Sequence, residues 1–194
     1  MVNDLEAVLA ENFANILFDG RQAEVRFFGF ECGGGWYGLV GGTLLFIQQY
    51  SRENKLDVVI RQVKEKFGEL RIYLRGGDEI VDIATDIAGL VSRVICESCG
   101  CRGKLNEEEG WLRVRCEIQC DELQVKAENF ETYKFSYAAS VLALTSLFGL
   151  RSVEWLKTSQ MAFNGRPPFE LLATTEGCHE VVVHIGRLAY GVGV

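Results

Sequence analysis

Residues 58–99 read VVIRQVKEKFGELRIYLRGGDEIVDIATDIAGLVSRVICESC, and they decide the fold class. Val59, Arg61 and Val63 alternate along one run, and Leu70, Ile72 and Leu74 lie apolar on one face of the next. A period of two marks a half-buried strand. Between the runs, KFGE puts Gly68, which is free to take positive φ, at a turn. The reading is a β-hairpin over Val58–Leu74, with a helix across Val59–Lys66 as its competitor. Asp78 is a helix-capping residue type. Beyond it Ile80, Ile83, Ala84, Ile87, Leu90, Val91, Val94 and Ile95 form a broad apolar stripe at helical spacing. This helix delivers the chain directly to Cys96. A hairpin followed by an amphipathic helix gives an α+β class.

Working towards the C-terminus, Cys96-Glu-Ser-Cys99-Gly100 is a C-x-x-C-G knuckle, and CEIQC follows with Cys116 and Cys120. A tight turn with Gly after the second Cys aims backbone N–H groups at the thiolates. Two pairs of thiolates match the tetrahedral four-cysteine demand of structural zinc. The intervening WLRVR reads as a strand that returns the second pair to the first. The ligand set is Cys96, Cys99, Cys116 and Cys120, with Cys101 close enough to substitute. Free buried thiols, or a redox pair at Cys96 and Cys99, are the other readings. The second pair is C-x3-C, against the commoner C-x2-C. Four protein ligands would leave no open position, so such a zinc would be structural.

After Cys120, DELQVKAENFETYK is polar and reads as a connection. The composition then shifts. FSYAASVLALTSLFGL is an apolar helix ending near Gly149, Ser152 can cap a short helix carrying Trp155 and Leu156, and NGRPP is a turn with Pro at the first helical positions. FELLATTEG makes a short helix stopped by Gly177, and HEVVVHIGRLAYG the last one. The expected organisation is an α+β domain over 1–134, with its cysteine cluster at 96–120, and a small all-helical domain over 135–194. Working towards the N-terminus, ECGGGWYGLVGG is a glycine-dense loop entering an apolar helix over about Leu39–Tyr50. Val25–Phe30 reads as a short strand, and Leu5–Leu17 as a first helix stopped by Asp19-Gly20.

Bulk properties narrow the function. Apolar residues make up 48% of the 194, enough for a sizeable core. The net charge is −7, and residues 136–194 hold four Lys+Arg against four Asp+Glu, so the acidity lies wholly in residues 1–135. An acidic chain is a poor generic binder of nucleic acid, while a neutral apolar module suits docking on another protein. No stretch approaches the roughly 20 apolar residues that span a bilayer, and the acidic start MVNDLEAVLAENF lacks the form of a signal peptide. No membrane association is expected. The seven cysteines, an odd number, argue against a disulfide framework and for a reducing, cytoplasmic setting.

No enzyme is expected. CGGGW at Cys32–Trp36 has no following Lys-Ser or Lys-Thr, so it is not a P-loop; it is either an anion-binding loop or a turn for close packing under Trp36. The two histidines, His179 and His184, share the last helix, with His184 expected on a surface or at an interface. Cys178-His179 are sequence neighbours and so point in different directions, which argues against a nucleophile pair.

The run LFGLRSVEWLKTSQMAFNGRPPFELLATTEGCHEVVVHIGRLAYGVGV resembles the toxin-binding domain of the Xre/MbcA/ParS antitoxin family. The matching positions are Phe148, Gly149, Trp155, Leu156, Gly165, Pro168, Glu170, Leu171, Leu172, Thr175, Gly177, Val181, Ile185, Leu188 and Gly191. Phe163-Asn164 and Pro167 depart from the family's usual residues. The resemblance implies an all-helical module that commonly dimerises and neutralises a RES-type toxin that destroys NAD. It implies partner contacts through Trp155, Leu156, Gly165, Pro168, Leu171, Leu172 and Leu188, with Tyr190, Gly191, Val192, Gly193 and Val194 as a tail reaching the toxin's cleft. The family's usual helix-turn-helix is not recognisable in residues 1–135. Instead ECGGGWYGLV, QVKEKFGELRIYL and CESCGCRGKL…GWLRVRC resemble an uncharacterised family of bacteria and phages, which supports pairing the cysteines as above.

Two expectations stand side by side. One is an antitoxin-like protein binding a toxin. The other is a zinc-knuckle nucleic-acid-binding or phage-associated protein that dimerises through the C-terminal module, motivated by Arg102, Lys104, Arg113 and Arg115.

Overall fold

The computed structural model describes residues 1, 3–18, 27–108, 110–117 and 127–191. Strand β1 (Phe30–Glu31) pairs in parallel with β2 (Val59–Lys66), and β2 pairs antiparallel with β3 (Glu69–Arg75), so the sheet order is β1-β2-β3. Helix α3 (Tyr37–Asn54) joins β1 to β2, and α4 (Glu79–Ser92) follows β3. A second hairpin, β4 (Lys104–Glu108) with β5 (Trp111–Arg115), carries the knuckle. Helices α5 (Ala127–Phe148), α6 (Ser152–Lys157) and α7 (Thr175–Tyr190) complete the chain, with short 3-10 turns between them. The class is mixed α+β, with the sheets in the front part and helices alone behind.

The first hairpin forms, with Val63 paired to Ile72 and Lys64 to Arg71, but a register shift between Ile60 and Gln62 breaks the expected alternation of Val59, Arg61 and Val63, so that Ile60 rather than Val59 pairs with Leu74. Its turn is Phe67-Gly68, at φ 57° and 74°. Both residues lie in the left-handed region that tight hairpin turns use. Gly68 takes it freely, whereas a bulky side chain there costs about 1–2 kcal/mol. Replacing Phe67 by Asn, which tolerates this conformation, should therefore stabilise the protein by about 1 kcal/mol and raise Tm by roughly 2–4 °C. A lower Tm for the variant would contradict the strain.

Asp78 caps α4 as expected, its Oδ1 accepting from the Ile80 and Val81 N–H groups at 3.1 Å each. The helix stops at Ser92, before the Val94 and Ile95 expected within it. Ile95 instead bridges to Arg102, which begins the knuckle. The first helix is divided, with α1 (Asn3–Asn12) and α2 (Ala14–Leu17) meeting at a kink at Phe13. Of the strand expected over Val25–Phe30, only Phe30 is in a strand; residues 25 and 26 lie outside the described residues.

Helix α5 starts at Ala127, inside the stretch read as a connection, and runs through the expected 134/135 boundary. Its Tyr133, Lys134 and Tyr137 lie against Gly38, Gly41 and Gly42 of α3. Buried apolar residues from Leu9 to Ile185 form one continuous cluster. By length and hydropathy, Phe130–Lys157 is apolar enough to cross a membrane, contrary to the sequence reading, which found no such stretch. In the fold this stretch is interrupted at Gly149, and Tyr137, Val141 and Leu144 of its inner face are buried in the protein core.

Two local readings are corrected. Ser152 does not cap α6; it is that helix's first residue, and its hydroxyl donates to the carbonyls of Gly149 (2.6 Å) and Leu144 (3.2 Å). Gly177 does not stop a helix. The segment Pro168–Ala173 is a 3-10 turn, Thr174 caps α7 through the Gly177 N–H, and Gly177 sits in the first turn of α7.

Candidate functional site

The knuckle is built from the backbone outward. The Gly100 N–H donates to the Cys96 carbonyl at 2.9 Å, and the Cys96 N–H to the Cys101 carbonyl at 2.7 Å, closing the turn on itself. Gly100 has φ 78°. The Glu97 N–H reaches the Val114 carbonyl at 3.1 Å, which ties the turn to β5 and brings Cys116 beside it.

The sulfurs of Cys96, Cys99 and Cys116 all lie within 4.8 Å of one another. Cys99 Sγ and Cys116 Sγ are 3.6 Å apart, far beyond a disulfide bond of about 2.05 Å. Two sulfurs bound to one tetrahedral zinc at about 2.3 Å would stand about 3.8 Å apart, close to this spacing. Cys96 and Cys99 are buried. Burial raises the Cys99 pKa far above the ordinary thiol range, against a backbone hydrogen bond from Cys101 that lowers it; the thiols of Cys96, Cys116 and Cys101 raise it further. A buried thiolate here needs a cation. These three thiols can hold a metal ion. Cys101 is exposed and outside the trio, and Cys120 lies outside the described residues.

The glycine-dense loop is the seat of this knuckle. The Gly33 N–H donates to Glu97 Oε1 at 2.9 Å, the Gly35 N–H to the Glu97 carbonyl at 2.8 Å, and Trp36 Nε1 to the Ile95 carbonyl at 2.8 Å. A Cβ on Gly35 would stand 2.2 Å from the Cys96 carbonyl oxygen and 2.4 Å from the Gly100 nitrogen. The close-packing reading of CGGGW is therefore the observed one, and the Gly33 and Gly35 amides that an anion would need are spent on Glu97.

Three of the four basic residues around the knuckle are engaged, and the fourth, Arg113, is exposed. Arg102 pairs with Glu170 (2.6 Å), Lys104 with Glu117 (2.6 Å), and Arg115 bonds Ser98 Oγ (2.6 Å). The Arg102 pair joins the knuckle to the C-terminal helices.

Those helices build a compact module. Tyr133 Oη donates to the Leu172 carbonyl (2.7 Å) and Ser140 Oγ to the Cys178 carbonyl (3.2 Å), anchoring α7 and its preceding turn on α5. Trp155 stacks on Phe148 at 4.6 Å and on His184 at 6.3 Å, and Phe163 meets His184 edge-on at 4.9 Å. Exposed apolar side chains remain on this module, with Met161 91% and Tyr190 86% exposed. Residues 143–191 match the antitoxin Xre/MbcA/ParS C-terminal toxin-binding domain. No curated protein and no solved structure matches the chain. The match begins within α5 and ends at the α7 cap.

Within the matched C-terminal segment, the expected partner residues divide by burial. Leu156, Pro168, Leu171 and Leu172 are buried, so they shape the module from inside. Trp155 is half-buried, while Gly165, Leu188, Tyr190 and Gly191 are exposed. Val192, Gly193 and Val194 lie outside the described residues. Exposed Met161 was not singled out from the sequence, where an isolated Met carries no pattern. His184, expected on a surface or at an interface, is buried between Trp155 and Phe163.

Burial, and secondarily Arg187, lowers the His184 pKa below its ordinary 6.5. The unfolded chain therefore takes a proton first as pH falls. The His184 contribution to stability is whole above pH 6.5 and is lost as pH falls through the depressed folded value. Tm measured from pH 7.5 to 5 should fall more steeply for the native chain than for His184→Phe; parallel curves would remove this role.

Proposed function

We propose that this chain is an antitoxin-type protein that neutralises a protein toxin through its C-terminal module and performs no chemistry itself. The family match over residues 143–191 carries this reading. The contact surface is the exposed part of the module, where the side chains of Met161, Leu188 and Tyr190 offer apolar anchors. Aromatic and Met anchors of this kind dominate protein interfaces. The toxin is of the RES type, which destroys NAD, and the tail beyond Gly191 extends towards its cleft. The chain works in the reducing cytoplasm, alone or as a homodimer.

The front part supports the module through a structural zinc held by Cys96, Cys99 and Cys116, with Cys120 as the fourth ligand. The observed spacing of the Cys96, Cys99 and Cys116 thiols supports these three as ligands.

Co-expression with a RES-type toxin encoded beside this gene tests the first reading. Rescue of growth, recovery of NAD and co-purification are expected. Tyr190→Ala together with Met161→Ala should weaken the complex by about 10- to 100-fold, the range of interface anchors. No binding by the native chain would reject the reading. Binding unchanged in the double variant would move the contact elsewhere.

A further inference from the structure

Among the six described cysteines, Cys101 alone is exposed; Cys116 is half-buried and the other four are buried. Cys101 nevertheless belongs to the knuckle. Its carbonyl accepts the Cys96 N–H at 2.7 Å, and the Gly100 N–H donates to the Cys96 carbonyl at 2.9 Å, so the turn holds Cys101 against the Cys96–Cys99 loop. The Cys101 N–H donates to Cys99 Sγ, and the Cys101 and Cys99 thiols lie within hydrogen-bond reach of each other. Cys99 Sγ in turn stands 3.6 Å from Cys116 Sγ.

Three sulfurs thus follow one another, Cys101 to Cys99 to Cys116, with the exposed one at the outer end. The middle one has almost no access of its own, since Cys99 is 2% exposed. A cleft of about 410 Å3, lined by both Cys101 and Cys116, admits small solutes to the outer thiol. An accessible thiol beside a second thiol is the arrangement of a redox-sensing cysteine and its resolving partner. Here the resolving thiol has a third sulfur within contact distance, so a disulfide formed at the surface has a path inward.

We propose that Cys101 takes oxidising equivalents from a hydroperoxide and passes them inward, leaving a disulfide between Cys99 and Cys116. In the first step the Cys101 sulfur attacks the peroxide, the O–O bond breaks, and Cys101 sulfenic acid forms with release of an alcohol, or of water from hydrogen peroxide. Cys99 then attacks the Cys101 sulfur; the hydroxyl group leaves with the Cys99 proton as water. Cys116 attacks the Cys99 sulfur in turn, and Cys101 departs as a thiol, taking the proton that Cys116 gives up. In sum two thiols lose two electrons and two protons, and the hydroperoxide is reduced to an alcohol and water. The Cys99–Cys116 sulfur separation closes from 3.6 Å to about 2.05 Å. Two of the three thiols that can hold a metal ion are consumed, so the oxidised knuckle cannot hold one through them. The relay needs neither the toxin nor the C-terminal module, so it and toxin binding can fail independently.

The test treats the full chain, reduced and then freed of reductant, with a small molar excess of hydrogen peroxide. Free thiols are blocked with N-ethylmaleimide at successive times, and peptide mass mapping locates each modification. The native chain should form the Cys99–Cys116 disulfide with Cys101 recovered as a thiol, at least about tenfold faster than Cys101→Ser, and dithiothreitol should reverse it. Dimedone present with the peroxide should label Cys101 and suppress the disulfide. Cys101→Ser changes an exposed side chain, and circular dichroism should show it folded. Disulfide formation at the native rate in Cys101→Ser would overturn the relay. So would dimedone labelling that spares Cys101, a native chain in which Cys101 ends as a sulfinic acid with Cys99 still a thiol, or a disulfide that joins Cys101 to Cys120 or to a second copy of the chain.

Discussion

Cys99→Ser should lose the proposed zinc and destabilise the protein by about 4 kcal/mol, because loss of a structural metal is among the few single changes of that size. At roughly 2–4 °C per kcal/mol for a chain of this length, Tm should fall by about 10 °C. The expectation rests on the position of Cys99, which is buried and within reach of the Cys96 and Cys116 sulfurs. The damage should be local first. Glu97, Gly100, Gly33 and Gly35 all donate their N–H groups within or to the knuckle, so these amides should lose hydrogen-exchange protection before those of α3. Cys101→Ser is the control, since Cys101 is exposed and outside the trio. Mass spectrometry under native conditions and thermal melts decide the matter. A Cys99→Ser protein that keeps one equivalent of zinc and a native melting point would show that Cys99 is not a ligand, and native protein purified without zinc would show that the thiols are simply free and buried.

Legibility in the sequence followed periodicity. The first hairpin and α4 were readable because alternation and the helical stripe are each written over many residues, and Asp78 signals its own cap. The knuckle trio was readable because C-x-x-C-G encodes its turn locally. What holds the knuckle down was only half readable. CGGGW indicated close packing, but the partner of Gly35 is the Cys96 carbonyl, 61 positions later, and no local pattern names it. The same limit explains the misplaced boundary elements. AENFETYK is polar enough to read as a connection, yet Tyr133 and Lys134 lie on the glycine face of α3, and that tertiary contact favours helix from Ala127. Burial within the C-terminal module was illegible for a related reason. Leu156, Leu171 and Leu172 match a family pattern, and a pattern does not distinguish residues that build a surface from residues that form it.

Gly177 shows how far such a misreading reaches. As a helix stop in the left-handed conformation it would accept Ala at a cost of only about 1–2 kcal/mol. As observed, a Cβ there would lie 2.0 Å from the Leu171 carbonyl oxygen and 2.6 Å from its carbonyl carbon, both fixed backbone atoms. Gly177→Ala must therefore push α7 away from the Pro168–Ala173 turn, at a cost of about 3 kcal/mol or more. That movement pulls against two anchors, the Tyr133 bond to Leu172 and the Ser140 bond to Cys178, which fix α7 and its preceding turn on α5. The rim carrying Leu188 and Tyr190 rides on the same helix. The variant should melt about 6–12 °C lower, bind the toxin at least 100-fold more weakly, and keep its full zinc content, since the knuckle is held by other elements. Gly186→Ala on the same helix meets nothing within 4 Å and should stabilise the protein by up to about 1 kcal/mol through helix propensity. Measured together by thermal denaturation and titration calorimetry, the two substitutions separate helix propensity from close approach. A Gly177→Ala protein as stable as Gly186→Ala would mean that the turn and α7 do not meet as described.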